Sequence, residues 1–153
     1  MEKLKAVNST MKNVCLAGLN LRYVCMNNSE FEGVDFSGAN LSEANFSNST
    51  FVDCNFDGAD LSGANFDGAN IKNSGLCNAT LVKSSFKKAR LSGTALVNSN
   101  LYKSSFEGAI LLDCPAYSAK FGDVDFHQAE YNHSSMTQSN LLKDARRVPG
   151  TRY

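Results

Sequence analysis

Large apolar residues return along this chain at every fifth position. In the stretch DFSGANLSEANF they are Phe36, Leu41 and Phe46. The same phase holds from Met11 to Leu141 at every residue whose number ends in 1 or 6, with Ala116 the small exception and Tyr131 the polar one. Two residues before each stands Ala, Ser, Thr, Cys or Val, except at Leu19. An α-helix advances about 100° per residue, so a five-residue period scatters these side chains around its cylinder. A strand alternates faces, so an odd period sends Phe36 and Leu41 to opposite sides. The pattern buries all of them only if the chain turns a corner every five residues. The large residue and the small one before it then share an inward face. The other three positions, rich in Ser, Asn, Asp, Gly and Lys, make the turn or face water.

The number of corners per coil follows from which lag sorts like with like. At a lag of twenty, Leu21, Leu41, Leu61, Leu81 and Leu101 form one column. Phe46, Phe66, Phe86, Phe106 and Phe126 form another. Lags of ten and fifteen mix the two. Twenty residues per coil means four five-residue faces and a square section. Adjacent coils at the spacing of paired strands, about 4.8 Å, give six to seven coils and a rod on the order of 30 Å long. Val14, Leu19, Val24 and Val34 fill small inward slots with larger groups and predict wider first coils. Ala116, beside Pro115, underfills a large slot and predicts a local distortion.

The units ADLSG, ANFDG, ANLSE and ARLSG resemble the pentapeptide-repeat proteins, whose pattern is loosely A(D/N)LXX. The resemblance runs from Met11 to Leu141 and implies an all-β, right-handed quadrilateral β-helix. Its handedness comes from the resemblance and not from the spacing. One domain is expected, with residues 1–10 as an N-terminal cap, 11–141 as the β-helix and 142–153 as a C-terminal cap or tail. Leu4 and Val7 are expected over the first coil, and Lys143 to Arg147 as a helical turn stopped before Pro149.

Fifteen basic and fifteen acidic side chains cancel, so global charge gives no reason to wrap nucleic acid or coat an anionic membrane. The start, MEKLKAVNSTMKN, lacks the apolar core of a signal peptide, and no apolar run approaches the roughly 20 residues that span a bilayer. The five cysteines show no close CxxC spacing. A reduced, cytoplasmic chain is expected, without disulfide or cofactor. Cys54 and Cys114 share a column but lie three coils apart, roughly 14 Å, beyond disulfide reach. His127 and His133 each fall one coil from a carboxylate, Glu107 and Asp113. With no nucleophile or metal cluster nearby, these read as exposed ladder pairs and not as catalytic groups. No enzyme is expected.

Specificity is therefore left to the outward positions. Between Glu30 and Asp67 stand eight acids and no base: Glu30, Glu32, Asp35, Glu43, Asp53, Asp57, Asp60 and Asp67. Between Lys72 and Lys103 stand six bases and no acid: Lys72, Lys83, Lys87, Lys88, Arg90 and Lys103. Ile110 and Leu112 on one face, with Val97, Pro115 and Tyr117 on the next, predict an apolar edge. The candidate partner-binding residues are Asp35, Glu43, Asp53, Asp57, Asp60 and Asp67 in the acidic band, and Ile110, Leu112 and Tyr117 at the edge.

The best-known branch of the family contains quinolone-resistance and topoisomerase-poison immunity proteins. These are acidic rods, often dimeric, that imitate duplex DNA and bind DNA gyrase. The present chain departs from them in its zero net charge and its lack of an inserted loop. Other members are secreted bacterial effectors or have no assigned activity. The resemblance implies a bacterial protein-binding or scaffold rod, with DNA mimicry toward gyrase as its sharpest form. An effector or structural rod with an unrelated protein partner is the alternative. No direct nucleic-acid contact and no membrane span are expected, and a homodimer would form through an end or the apolar edge.

Overall fold

The computed structural model describes residues 5–132 and the backbone pairing of Arg146–Arg147. It is a β-solenoid of about six coils, and the described residues contain no helix. One face of each coil carries a short strand: β1 (Thr10–Lys12), β2 (Glu30–Glu32), β3 (Thr50–Val52), β4 (Asn70–Lys72), β5 (Arg90–Ser92), β6 (Ile110–Leu112) and β7 (Glu130–Tyr131). They pair in chain order, all parallel, each residue opposite the one twenty positions on. We call this the first face. The second runs through bridges such as Asp35 to Asn55, the third through Asn40 to Asp60, and the fourth through Asn45 to Asn65. Each is again a lag of twenty, so the four-sided coil inferred from the columns is the coil observed.

The inward side chains are stacked as the sequence predicts. Leu41, Leu61, Leu81 and Leu101 are fully buried in one column. In another, Phe66 stacks on Phe46 at 5.1 Å and on Phe86 at 4.8 Å between ring centroids. Phe31 over Phe51 and Phe36 over Phe56 extend the aromatic packing around the second and third coils, both at 4.7 Å. The small slots let the chain bend tightly above this core. Where Ser fills one, its hydroxyl is spent on the backbone: Ser84, Ser99 and Ser104 each donate at 2.7 Å to the carbonyl three residues earlier. No buried side-chain N or O among the described residues lacks a hydrogen-bond partner.

The corners have one backbone solution. From Asn8 to Gln128 every residue numbered in 3 or 8 has a positive φ, between 49° and 69°. At most corners the turn closes with a bond from the small residue's amide to the large residue's carbonyl, as from Ala39 to Phe36 at 3.0 Å. Glycine tolerates this conformation and Asn adopts it more readily than most residues. Yet Tyr23, Glu43, Lys83, Lys88 and Lys103 adopt it too. The pairing of the coil above and below fixes the corner, and the residue there conforms.

The ends differ from expectation. Lys5 bridges to Cys25 and Ala6 donates to the Cys25 carbonyl at 2.8 Å, so residues 5–8 pair as a rung of the fourth face. Val7 is exposed there, and Leu4 lies outside the described residues. Leu19 is also exposed, at 46 %, because no described residue stacks on the first coil at that corner. Val24 and Val34, one coil deeper, are buried. At the other end Arg146–Arg147 form strand β8, parallel to β7, with Arg146 opposite Glu130. This corrects the helical turn expected over Lys143 to Arg147 at its last two residues, the only ones of the five that are described. Pairing supplies the open edge of β7 with backbone partners that a free helical turn would leave unmet. The lag is sixteen here and not twenty. Residues 133–145, including His133, lie outside the described residues.

Candidate partner-binding surface

A filled interior leaves each five-residue unit three outward positions: one before the large residue and two after it. The first of these explains the D/N of the repeat. Asp35 Oδ1 accepts from the Ser37 amide at 2.9 Å, across the buried Phe36. Asn45, Asn55, Asp60 and Asn65 hold the amide two residues ahead in the same way, at 2.8–3.0 Å. Asp and Asn both supply this oxygen, which is why they interchange. Asp60→Asn is therefore expected to leave stability within about 0.5 kcal/mol, while Asp60→Ala loses the bond and costs about 1 kcal/mol. Paired urea titrations of the two variants check this.

That role bears on the acidic band. Asp35 and Asp60 are tied to the backbone of their own corner. The Ser37 amide, followed by its hydroxyl, holds the Asp35 carboxyl below its usual range. Asp57 reaches down one coil to accept from the Cys77 amide at 2.8 Å. Asp67 likewise accepts from the Lys87 amide at 2.9 Å and from the Ser85 hydroxyl. Glu43 and Asp53 sit at corners with positive φ, and the Glu43 carboxylate lies across Gly63, where a Cβ would meet its Oε1 at 2.5 Å. The structure thus distributes the six acids over four faces, most of them pinned in place. Two ladder ion pairs are formed among the described residues, Lys12 with Glu32 at 2.6 Å and Lys87 with Glu107 at 2.8 Å, both half exposed. Such pairs contribute about 0–1 kcal/mol.

The residues of the expected apolar edge differ in exposure. Ile110, Leu112, Val97 and Pro115 are half-buried, and Tyr117 stands out at 61 % exposure. Pro115 has no N–H, and the second-face bridges stop at Gly75 to Ala95. Its carbonyl still accepts from Leu96 at 2.6 Å. Ala116 is buried at the large-residue position of that coil. Sequence reasoning missed Tyr23 and Tyr102, both exposed on the third face. The Tyr102 ring lies over Gly122, which leaves room for it, and the Lys103 ammonium sits 5.1 Å from the ring centre. For Tyr102 the glycine twenty residues on was the available signal; Tyr23 has Glu43 there instead.

The reactive groups are dispersed. All five cysteines are free. Burial raises the Cys54 thiol and pushes Cys114 up to about 11, while burial and the neighbouring Asp57 raise Cys77. None of these three is an activated thiolate. His127 donates its backbone amide to Asp125. Among the described residues no group of three or more His, Cys, Asp or Glu side chains converges as a metal site, and no helix is long and apolar enough to cross a membrane.

This geometry agrees with comparisons to known proteins. A family model described as a pentapeptide repeat region matches residues 4–81, and a second, of pentapeptide repeats in eight copies, matches residues 76–113. Among solved structures the chain resembles HetL, a pentapeptide repeat protein involved in heterocyst differentiation regulation in the cyanobacterium Nostoc. The TM-score is 0.59 and the identity 18 %, over 85 % of this chain and 72 % of that one. It resembles QnrB1, a plasmid-mediated fluoroquinolone resistance protein, with TM-score 0.56 and 17 % identity, over 95 % and 90 % of the two chains. It also resembles a pentapeptide repeat protein of the Arabidopsis thaliana thylakoid lumen, with TM-score 0.51 and 26 % identity, over 67 % and 68 %. No curated protein sequence matches the chain.

Proposed function

The chain belongs to the pentapeptide repeat family, and from that premise we propose that it is a non-enzymatic rod that binds a protein partner through its acidic band. The solenoid of this family is generally a scaffold and not a catalyst. The observation that carries the proposal is the concentration of eight carboxylates in two coils with no base among them. Two coils span about 9.6 Å; with Glu32 paired to Lys12, the other seven carboxylates hold one charge per roughly 1.4 Å of axis. Duplex DNA holds one per about 1.7 Å. Over that length the rod matches the linear charge of a nucleic acid, and the hydrogen bonds of Asp35, Asp57, Asp60 and Asp67 hold that charge in fixed positions.

The sharper form names the partner as a topoisomerase of the gyrase type, and the likeness to a fluoroquinolone resistance protein supports testing it first. The band is only about three base pairs long, and the basic belt beside it would be repelled by a DNA-binding groove. The test is gyrase supercoiling with and without a quinolone. Wild type is expected to inhibit or protect the enzyme, less so as salt rises. Changing Asp57, Asp60 and Asp67 together to Asn keeps their backbone bonds and should remove most of the effect. Changing Lys83, Lys87 and Lys103 to Gln should strengthen it. If wild type does neither, and neither variant differs from it, gyrase is not the partner, and the apolar edge at Ile110, Leu112 and Tyr117 becomes the surface to probe.

A further inference from the structure

Over its first six strands, β1 to β6, the first face carries a charge order that reverses between β3 and β4. Along β1 to β6 its outward charges are Lys12, then Glu30 and Glu32, then Asp53, and past that point Lys72, Arg90 and Asp113; β7 adds Glu130 beyond them. The signs run plus, minus, minus, then plus, plus, minus. Lys12 and Glu32 pair within the chain, which leaves Glu30 as the net charge on β2. Glu30 and Arg90 are both exposed, and neither takes part in an ion pair among the described residues.

From this we propose that the first face docks on the first face of a second copy, antiparallel, about a two-fold axis crossing between β3 and β4. A two-fold perpendicular to the rod keeps each column opposite itself and reverses the coil order. β1 then faces β6 of the other copy, β2 faces β5, and β3 faces β4. In the column of first strand residues Glu30 meets Arg90, and Thr50 meets Asn70. In the column of third residues Val52 meets Lys72, with Asp53 beside it, and the Lys12 stem meets Leu112. The central coils face opposite signs, β2 against β5 and β3 against β4, and the Glu30–Arg90 contact occurs twice; Glu130 on β7 lies beyond the partner's β1. A parallel arrangement instead sets Glu30 against Glu32 and is repelled. The occupant is a second copy because the complement that β2 to β5 need, in order and spacing, is the same four strands turned end for end. It also covers Ile110 and Leu112.

The patch is on the order of 25 Å long and roughly 10 Å wide, well under the ~800 Å² per partner of a stable interface. The association is therefore weak, reversible and screened by salt. Sedimentation of the full chain over a concentration series tests it. Wild type should form a dimer whose affinity falls by about tenfold or more between about 0.05 and 0.5 M salt. Glu30→Arg should abolish it, because two guanidinium groups then face each other across the interface. Arg90→Glu should abolish it for the converse reason, two carboxylates meeting there. An equal mixture of the two single variants should associate again, and the double variant should associate with itself. Both positions are exposed, and circular dichroism confirms that each variant is folded. A wild type that stays monomeric at low salt overturns the proposal, as does a dimer indifferent to salt. Single variants that dimerise like wild type, or a mixture no stronger than its components, overturn it too.

Discussion

Phe66→Ala is expected to destabilise the rod by about 3–5 kcal/mol, the cost of removing a fully buried aromatic ring from a core that cannot close over the gap. Phe66 has no exposed surface. It lies face to face with Phe46 above and Phe86 below, and its edge meets Phe56 at 6.0 Å. The coils cannot sink into the cavity, because each is held at strand spacing by the rungs on all four faces. Phe66 N donates to the Ser85 carbonyl at 2.7 Å, and Ala69 N to the Phe66 carbonyl at 2.9 Å. A denaturant titration reads the loss as a fall in midpoint at unchanged slope. A near-neutral result would mean that the ring column is not the spine of the stack.

The second large effect is expected at a small slot. Ala64 is fully buried at an inward corner position. Ala64→Asp places a carboxyl in that slot without a cation. Ser84, one coil on, has its hydroxyl committed to the Leu81 carbonyl. Burial disfavours the charged form, so the folded-state pKa rises above the unfolded value near 3.9. Below about pH 4 both states are protonated and the charge penalty is absent. Above it the unfolded chain releases its proton first, so stability falls as pH rises until the folded pKa is reached. Between pH 4 and 7 that linkage amounts to roughly 4 kcal/mol. Ala64→Ser is the control. Ser84 and Ser104 fill the same column by donating to the carbonyl three residues earlier, so the serine should cost under about 1 kcal/mol. Measuring each variant against wild type at several pH values removes the titration of the surface carboxylates. A penalty at Ala64→Asp that does not vary with pH would show that the slot opens to water.

The architecture was legible because burial leaves a period in the sequence. Nothing but a four-cornered coil sorts Leu41 with Leu61 and Phe46 with Phe66. The corners were less legible. A positive φ at Gly58 or Asn48 can be anticipated, but at Tyr23, Lys83 or Lys103 it comes from the pairing of neighbouring coils and not from the residue. Leu19 and Val7 misled as well. Leu19 stands at an inward position of the first described coil and Val7 at an outward one, and both stay exposed there. The strand at Arg146–Arg147 answers a backbone need of β7 that no side-chain pattern records.

For the surface, the acidic band could be read as charge but not as structure. That Asp35 and Asp60 brace their own turns, or that Asp57 reaches the next coil, depends on bonds between a side chain and a backbone amide. The same letter D would be written for a free carboxylate. The antisymmetric order on the first face was equally hidden. It emerges only once Glu30, Asp53, Lys72 and Arg90 are assigned to one side of the rod and separated from acids and bases on the other three.

The constant lag of twenty residues has a consequence for how the chain finds its fold. Along β1 to β7 every strand pairing joins residues twenty apart in a chain of 153, a relative contact order of about 0.13. Sandwiches and closed barrels, with partners scattered along the sequence, run higher and fold slowly. Here the loop to be closed is the same short one each time, and its entropic cost is met by one coil's worth of contacts before the next begins. The protein is all-β in content, but by contact order it falls with mixed α/β domains, which fold faster than sandwiches and barrels.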